Sequence, residues 1–189
     1  MRLLKQIYFP AFFLILLIPA VLPLFQPGFF PIHDDQQIAR LYELDFALKA
    51  GQFPVRWVSH LGFGYGYPLF IFYPPLVYYL GEIFHIGGFS LIDSTKLVIV
   101  LGFVLSFVFM FAWINSRYGK KAGLFAGVLY TYAPYHALDI YVRGALAEFF
   151  SFVFIPAALW ASDILAKKKS ISFSIVLGFF LAFLVLTHN

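Results

Sequence analysis

Residues 97–114, LVIVLGFVLSFVFMFAWI, decide the fold of this chain. No side chain in this stretch is charged, and Ser106 carries its only hydroxyl group. A bilayer has a hydrocarbon core of roughly 30 Å, which an α-helix crosses with about 20 apolar residues that each rise 1.5 Å. The stretch therefore predicts a helix that spans a membrane.

The composition of the whole chain agrees with a membrane protein. Of its 189 residues, 62% are hydrophobic and 12% are charged, and the mean hydropathy is +0.86. A soluble domain is about 45–50% apolar and about 25% charged, so a soluble fold of this size could not bury so much apolar surface. The chain has no Cys, which excludes disulfides and thiolate chemistry. Its net charge of +4 is spread over short basic clusters, which excludes a nucleic-acid-binding surface.

Apolar runs like residues 97–114 recur along the chain. Phe9–Phe25 follows a basic start and lacks the A-x-A arrangement of a cleaved signal, so it predicts an uncleaved first span. Three more spans are predicted at Ala122–Leu138, Ala145–Leu165 and Ile171–Thr187.

The apolar run Leu69–His85 is ambiguous, because Pro74 and Pro75 divide it and the remainder, up to Ile86, is too short to span. If this run lies at the surface, every basic cluster falls on one side of the membrane, as the positive-inside rule requires. These clusters are Arg2 with Lys5, Arg117 with Lys120 and Lys121, and Lys167–Lys169. We therefore predict an all-α integral membrane domain of about five spans in the cell (inner) membrane, with a cytoplasmic N-terminus and outside loops at residues 26–96 and 135–144.

Two amphipathic helices are predicted within the first outside loop. Residues 35–50 and residues 75–86 both repeat apolar side chains at helical spacing, so we expect these helices to lie in the membrane interface. Asp34 is placed to cap the first helix, with Gln37 three residues later as the partner in a capping box.

Several short motifs follow the first span in a fixed order. They are HDD at 33–35, AGQFPVRW at 50–57, GFGYGYPLFIFYPPLVYYLGEIF at 62–84 and YVRGALAE at 141–148. This order resembles the N-terminal part of the GT-C superfamily of membrane glycosyltransferases. Within that superfamily it is most similar to bacterial membrane proteins of the 6-pyruvoyl-tetrahydropterin synthase-related group, a name from which no pterin chemistry follows. GT-C enzymes usually have more than five spans, so we expect residues 1–189 to be a single membrane domain at the start of a longer protein.

The resemblance implies a reaction at the outer face of the membrane. GT-C enzymes transfer a sugar from a polyprenyl-phosphate carrier to an acceptor, and an Asp of the first outside loop serves as base or metal ligand. Carried over to this chain, that role falls on Asp34 or Asp35, and a divalent cation, if one is used, would bind there. His33 would tune this pair. Candidates for binding the carrier phosphate are Arg56, Arg143 and Lys96.

Each of these assignments competes with a structural interpretation. Asp34 could serve only as a cap, and Asp35 only as a first-turn acid that the helix dipole favours. Arg56 could anchor the chain at the lipid headgroups, and Arg143 could simply pair with Glu148.

Separate predictions apply to four other ionisable residues. Glu148 lies near the outer end of a predicted span, where acids are costly and often functional, so it is a candidate for substrate binding. Asp139 is expected in a solvated loop. His60 and His85 are isolated and predict no zinc site.

The sequence leaves other classes of function open beside the transferase. One is a non-catalytic membrane scaffold or lipid-carrier binding module, and another is half of a transporter. The partners expected are a polyprenyl-phosphate-linked sugar, membrane lipid, and a membrane partner or further part of the protein that completes the site.

Overall fold

The computed structural model describes residues 15–188. The basic start with Arg2 and Lys5, and the first residues of the predicted span Phe9–Phe25, lie outside the described residues. The regular secondary structure of the described part is helical apart from one isolated bridge between Val58 and Tyr67, which confirms the all-α part of the predicted fold class. Its helices are α1 (Ile15–Phe25), α2 (Gln37–Lys49), α3 (Leu69–Phe72), α4 (Leu76–Ile86), α5 (Leu91–Tyr118), α6 (Lys120–Thr131), α7 (Pro134–Leu138), α8 (Leu146–Lys168) and α9 (Ile171–Thr187).

Two of the described helices, α5 and α8, are long and apolar enough to cross a membrane on their own. The helices α1, α4 and α9 are apolar but shorter. The 17 residues of α9 extend over about 26 Å, somewhat less than a typical hydrocarbon core. The structure thus supports association with a membrane through two helices, whereas the five predicted spans are not confirmed.

The helices α5 and α8 run parallel to each other. Gly102, near the middle of α5, lies so close to Phe149, in the first turn of α8, that a Cβ on the glycine would come within 2.5 Å of the ring. Toward their ends, the indole Nε1 of Trp113 donates to Oδ2 of Asp163 at 2.8 Å. Because these consecutive long helices point the same way, the chain between them must return over the same distance.

The return begins with α6, which packs closely against α5. A Cβ on Gly127 would lie 2.9 Å from the ring of Phe107, and a Cβ on Gly123 would lie 2.9 Å from the backbone of α5. Small residues four positions apart let two helices approach each other in this way.

The predicted span Ala122–Leu138 is not a single helix. The helix α6 ends at Thr131, before Pro134, whose ring and missing N–H are unfavourable inside a helix. Pro134 instead begins α7, which passes into a π-helical turn at Asp139–Arg143. The return segment is therefore a broken helix that ends in an irregular turn.

The remaining apolar helices complete the bundle. The helix α9 runs back along α8, with the rings of Phe154 and Phe183 at 5.6 Å between centroids. The helix α1 packs on the return segment, where the Tyr141 hydroxyl donates to the Ala20 carbonyl oxygen at 2.6 Å.

The two ends of the bundle differ in charge. Arg117 pairs with Asp163, and Nζ of Lys167 donates to the carbonyl oxygen of Ser116 at 3.3 Å. The ends of α5 and α8, with the basic clusters at 117–121 and 167–169, therefore lie together. We call this the basic end of the bundle. The opposite end carries α2, α3, α4 and the turn 139–145.

At that opposite end α2 packs on α4 and α5. The interface buries Leu41 and Leu44, and Gly81 of α4 leaves room for Leu41. The predicted cap at Asp34 is wrong, because α2 begins at Gln37 and no side chain caps its first turn. Asp34 interacts instead with the side chain of Gln37, as described below.

Candidate functional site

The HDD segment is joined by its backbone to the turn that precedes α8. The N–H of His33 donates to the Val142 carbonyl oxygen at 2.9 Å, and the N–H of Asp34 donates to the Arg143 carbonyl oxygen at 2.9 Å. The amide of Gln37 adds a buried bond to the carbonyl oxygen of Gly144 at 2.7 Å. These three bonds bring the first outside loop against the start of α8.

Gly144 makes this contact possible. Its φ of +73° lies in the left-handed region that L-residues rarely adopt. A Cβ at this position would lie 2.6 Å from Cδ1 of Ile32 and 2.9 Å from the carbonyl oxygen of Asp34. The glycine in the motif YVRGALAE is therefore required both by the turn and by the close approach of the HDD loop.

The carboxylate of Asp34 is half-buried and accepts through one oxygen. Its Oδ2 accepts from Nη1 of Arg40 at 2.7 Å, from Nε2 of Gln37 at 2.9 Å and from the hydroxyl of Tyr73 at 3.4 Å. Its Oδ1 has no protein hydrogen-bond partner among residues 15–188. Asp34 is thus held in place and keeps one oxygen available for a ligand.

A polar network behind Asp34 fixes its orientation. The guanidinium of Arg40 stacks 4.3 Å from the ring centroid of Tyr73, and the buried hydroxyl of Tyr78 donates to Oε1 of Gln37 at 2.7 Å. Burial opposes ionisation of Arg40, but its contacts with Tyr78 and Asp34 outweigh this effect and raise the pKa of the guanidinium. Burial also raises the pKa of Tyr78. Arg40 therefore stays charged beside Asp34.

Arg40, Tyr73 and Tyr78 were not predicted from the sequence as site residues. A signal existed for Arg40, since Asp34, Gln37 and Arg40 recur at a spacing of three residues, which places them on one side of a helical turn. No comparable signal pointed to the two tyrosines, because Tyr73 reaches Asp34 and Tyr78 reaches Gln37 only through contacts between segments distant in sequence.

Asp34 lines a cavity of about 390 Å³ at the end of the bundle opposite the basic end, which we call the Asp34 cavity. It brings together three of the predicted site residues, Asp34, Arg143 and Glu148. The complete lining is Asp34, Phe72, Tyr73, Pro74, Arg143, Ala145, Ala147, Glu148 and His188.

Arg143 and Glu148 form an ion pair on the wall of this cavity. Nη2 of Arg143 lies 2.8 Å from Oε2 of Glu148, and Nη1 donates to the hydroxyl of Tyr135 at 2.9 Å. That hydroxyl in turn donates to Oε1 of Glu148 at 2.7 Å. Arg143 also pairs with Asp139. Two carboxylates thus neutralise the charge of Arg143. This weakens the prediction that Arg143 binds the carrier phosphate.

Asp139 is not the solvated loop acid that the sequence predicted. Its side chain is 0% exposed, and its Oδ2 has no hydrogen-bond partner among the described residues. Burial, together with the nearby charge of Glu148, raises the pKa of Asp139 to about 6, although the pairing with Arg143 acts in the opposite direction. The π-helical turn, which no sequence pattern indicated, carries this side chain inward.

Arg56 lies beside the Asp34 cavity. A second cavity of about 310 Å³, the Arg56 cavity, shares the wall Phe72–Pro74 with the first. Its other walls are mostly apolar and include Val185 and Leu186 of α9. The side chain of Arg56 is exposed and makes no hydrogen bond or ion pair with another side chain in the described part of the chain. It is therefore free to bind an anion.

The other predicted site residues lie apart from these cavities. The side chains of His33 and Asp35 are exposed, and neither makes a polar contact within residues 15–188. Nζ of Lys96 donates to the carbonyl oxygen of Gln26 at 2.6 Å, and this residue lines a separate cavity beside Leu24. Asp34 and Asp35 thus do not act as a pair.

A divalent cation does not fit this arrangement. No group of three or more His, Asp or Glu side chains in residues 15–188 is placed to hold a metal ion. Oδ2 of Asp34 already accepts from a guanidinium, and Glu148 is engaged by Arg143. We therefore derive no step that uses a metal.

Comparison of the chain with family models, curated proteins and solved structures gives no match. Any assignment of function consequently depends on the site and on the sequence motifs that build it.

Proposed function

We propose that this chain is a GT-C-like glycosyltransferase domain that transfers a sugar from a polyprenyl-phosphate carrier to an acceptor at the outer face of the cell membrane. The observation that carries the proposal is the Asp34 cavity, which joins the acidic loop after the first apolar helix to the YVRGALAE motif. Both motifs belong to the resemblance on which the sequence prediction rests.

The distribution of charged side chains supports the proposed orientation of the domain in the membrane. The basic clusters at 117–121 and 167–169 lie at one end of the bundle, as expected for the cytoplasmic side. The Asp34 cavity lies at the other end. We therefore propose that the helices α1, α5, α8 and α9 and the broken segment α6–α7 cross the membrane, with the cavity open to the outside.

The two adjacent cavities suggest separate roles. Arg56, whose side chain has no polar partner among residues 15–188, would hold the carrier phosphate, and the apolar surface of Val185 and Leu186 would hold the prenyl chain. The acceptor hydroxyl would lie in the Asp34 cavity, where Oδ1 of Asp34 has no partner within the described residues.

The proposed reaction uses this placement of the carrier and the acceptor. The acceptor oxygen bonds to the anomeric carbon of the sugar, and the bond between that carbon and the phosphate oxygen breaks. The carrier leaves as polyprenyl phosphate. Oδ1 of Asp34 orients the acceptor hydroxyl and takes its proton, for which it must lie within about 3 Å of the hydroxyl oxygen. The role of Arg143 and Glu148 would be to shape the cavity wall.

A transfer assay with the full-length protein in lipid nanodiscs tests the proposal. The substrates are polyprenyl-phosphate sugars with a labelled sugar, and carrier binding is measured in parallel. The double variant Asp34→Asn with Asp35→Asn should fold and bind the carrier but should not transfer the sugar. Transfer at an unchanged rate would contradict the enzyme proposal.

The alternative function is a lipid-carrier binding module without catalysis. The network around Asp34 favours this reading in one respect, because three donors to Oδ2 could serve only to hold the loop in place. A binding module would retain the carrier and show no transfer from any donor in the wild-type protein, whereas a transferase would lose transfer only in the variant.

A further inference from the structure

The loop that joins α2 to α3, residues 50–68, exposes large aromatic side chains. Phe63 is 103% exposed and Tyr65 is 89% exposed, relative to the free residues. Phe53, Trp57 and Tyr67 are also exposed along the same loop. Exposed aromatic side chains clustered in this way usually mark a surface that contacts another molecule or a membrane.

The base of the loop is firmly held, so the exposure of its tip is a property of the fold. Val58 and Tyr67 exchange two backbone hydrogen bonds of 2.9 and 2.8 Å. The buried carboxylate of Glu43 accepts from the backbone N–H groups of Ser59 and His60 at 3.1 and 3.2 Å.

The backbone at the tip adopts an unfavourable conformation that turns Phe63 outward. Phe63 has a φ of +58°, between Gly62 at +65° and Gly64 at +84°. A residue with a Cβ rarely adopts this left-handed region, and it does so most often where function requires it. An unfavourable backbone conformation thus accompanies a fully exposed aromatic ring at the tip of the loop.

The loop lies at the level where the exposed apolar surface of the bundle ends. Arg56 and Pro54 share the Arg56 cavity with Val185 and Leu186, in the last turn of α9. The surface of α9 below them is apolar and exposed, and it includes Phe179. If this surface contacts lipid chains, the loop beside its end lies in the headgroup region.

The charges of the loop suit the headgroups of anionic lipids. Between residues 50 and 68 the only charged side chain is Arg56, and there is no Asp or Glu. Aromatic rings next to a basic side chain, without acids, are typical of protein segments at a membrane interface.

We propose that residues 53–67 form a membrane-insertion loop, in which the rings of Phe63 and Tyr65 enter the lipid headgroup region on the side of the Asp34 cavity. The proposal requires that the bundle lies in a bilayer, but it does not depend on sugar transfer. In this proposal, the inserted rings hold Arg56 at the depth of the lipid phosphates.

The absence of Cys from the chain allows a direct test. Phe63→Cys and Tyr65→Cys are labelled with an environment-sensitive fluorophore in the full-length protein, reconstituted in nanodiscs of phosphatidylcholine and phosphatidylglycerol. Quenching is measured with brominated lipids and with aqueous iodide. Phe179→Cys on α9 serves as the reference for lipid contact, and Lys121→Cys, an exposed position in the basic cluster at the other end of the bundle, serves as the reference for water.

The proposal predicts that labels at positions 63 and 65 are quenched by brominated lipids about as strongly as the label at position 179 and are protected from iodide. Iodide quenching of these labels to the same extent as the label at position 121, with no effect of brominated lipids, would overturn it. Protection from iodide by a soluble oligosaccharide, without quenching by brominated lipids, would also overturn it. That last result would show that the loop is a glycan-binding surface, formed with Arg40 and Gln36 in the adjacent cavity.

Discussion

Asp34 and Arg143 are joined through their backbones, with the N–H of Asp34 donating to the carbonyl oxygen of Arg143 at 2.9 Å. The sequence separates these residues by more than half of the chain, yet this bond places the acidic loop against the turn that precedes α8. This contact forms one side of the Asp34 cavity. Its contribution to the stability of the protein can be tested by substituting the residues that surround it.

The first prediction concerns Gly144. The variant Gly144→Ala should unfold more easily than Gly28→Ala, although both glycines have a φ of +73°. The matched control has no atom within 4 Å of the new Cβ, whereas the Cβ at 144 would clash with Ile32 and Asp34. We expect the control to lose about 1–2 kcal/mol from the unfavourable φ, and Gly144→Ala to lose about 1–3 kcal/mol more. Equal thermal unfolding of the two variants in detergent would mean that the close contact is unimportant.

A second prediction concerns the half-buried ion pair between Arg40 and Asp34. Arg40→Met removes the guanidinium that donates to Asp34 at 2.7 Å, and it should lower the free energy of unfolding by about 1.5–3 kcal/mol, the usual range for hydrogen bonds to a charged group. Lys121→Met is the control, since it removes an exposed ammonium at the basic end of the bundle. The control should change the free energy of unfolding by no more than about 0.5 kcal/mol. Similar losses in chemical denaturation would argue against a special role for Arg40.

The third prediction uses the pKa of Asp139, which burial raises to about 6. Between about pH 4 and about pH 6 the folded protein retains this proton while the unfolded chain releases it, so stability should fall as the pH rises through this window. Asp139→Asn should remove this part of the pH dependence. The exposed Asp35→Asn should leave it unchanged. Melting temperatures measured across this range would contradict the assignment if Asp139→Asn retained the slope of the wild type.

A fourth prediction concerns the buried carboxyl group of Glu82 on α4. Burial and the neighbouring Asp45 raise its pKa, and its Oε2 has no hydrogen-bond partner within the described residues. The ionised form is therefore unfavourable, so Glu82→Gln should stabilise the protein at neutral pH, and the gain should shrink as the pH falls and the wild-type carboxyl takes up its proton.

Glu43→Gln provides the contrast for Glu82. The carboxylate of Glu43 accepts from the backbone of Ser59 and His60, so this variant should be less stable than the wild type. Thermal unfolding at neutral and acidic pH distinguishes the two carboxyl groups. Destabilisation by Glu82→Gln at neutral pH would show that the ionised group is well accommodated.

Much of the fold follows from apolar patterns that act locally. The predicted helix Ile171–Thr187 has the bounds of α9, and residues 75–86 differ from α4 by one residue. The prediction failed where the chain depends on contacts between distant segments. The π-helical turn at Asp139–Arg143 occurs where the return segment meets the HDD loop, and the apolar pattern contains no trace of this contact. The break at Pro134, by contrast, has a local cause in the proline itself.

The candidate site was predictable only in part, for the same reason. The composition of the outer loop and the resemblance pointed to Asp34, Arg143 and Glu148, which one cavity brings together. The resemblance made Asp35 an equal candidate for the catalytic role, because the sequence does not show which of two adjacent side chains faces the cavity. Tyr73 could not be predicted, because its contact with Asp34 joins segments 39 residues apart. Arg40 could have been predicted from its spacing to Asp34 and Gln37, since its contact with Asp34 is local.

The most direct test of the central claim compares the two neighbouring acids in the transfer assay. Asp34→Asn should reduce the rate of sugar transfer by about 10²–10⁴-fold, the usual contribution of a positioned acid or base. Asp35→Asn, which alters an exposed side chain without a polar partner among the described residues, should retain nearly the full rate. An Asp34→Asn protein that transfers the sugar as fast as the Asp35→Asn protein would contradict the claim that the Asp34 cavity is the catalytic site.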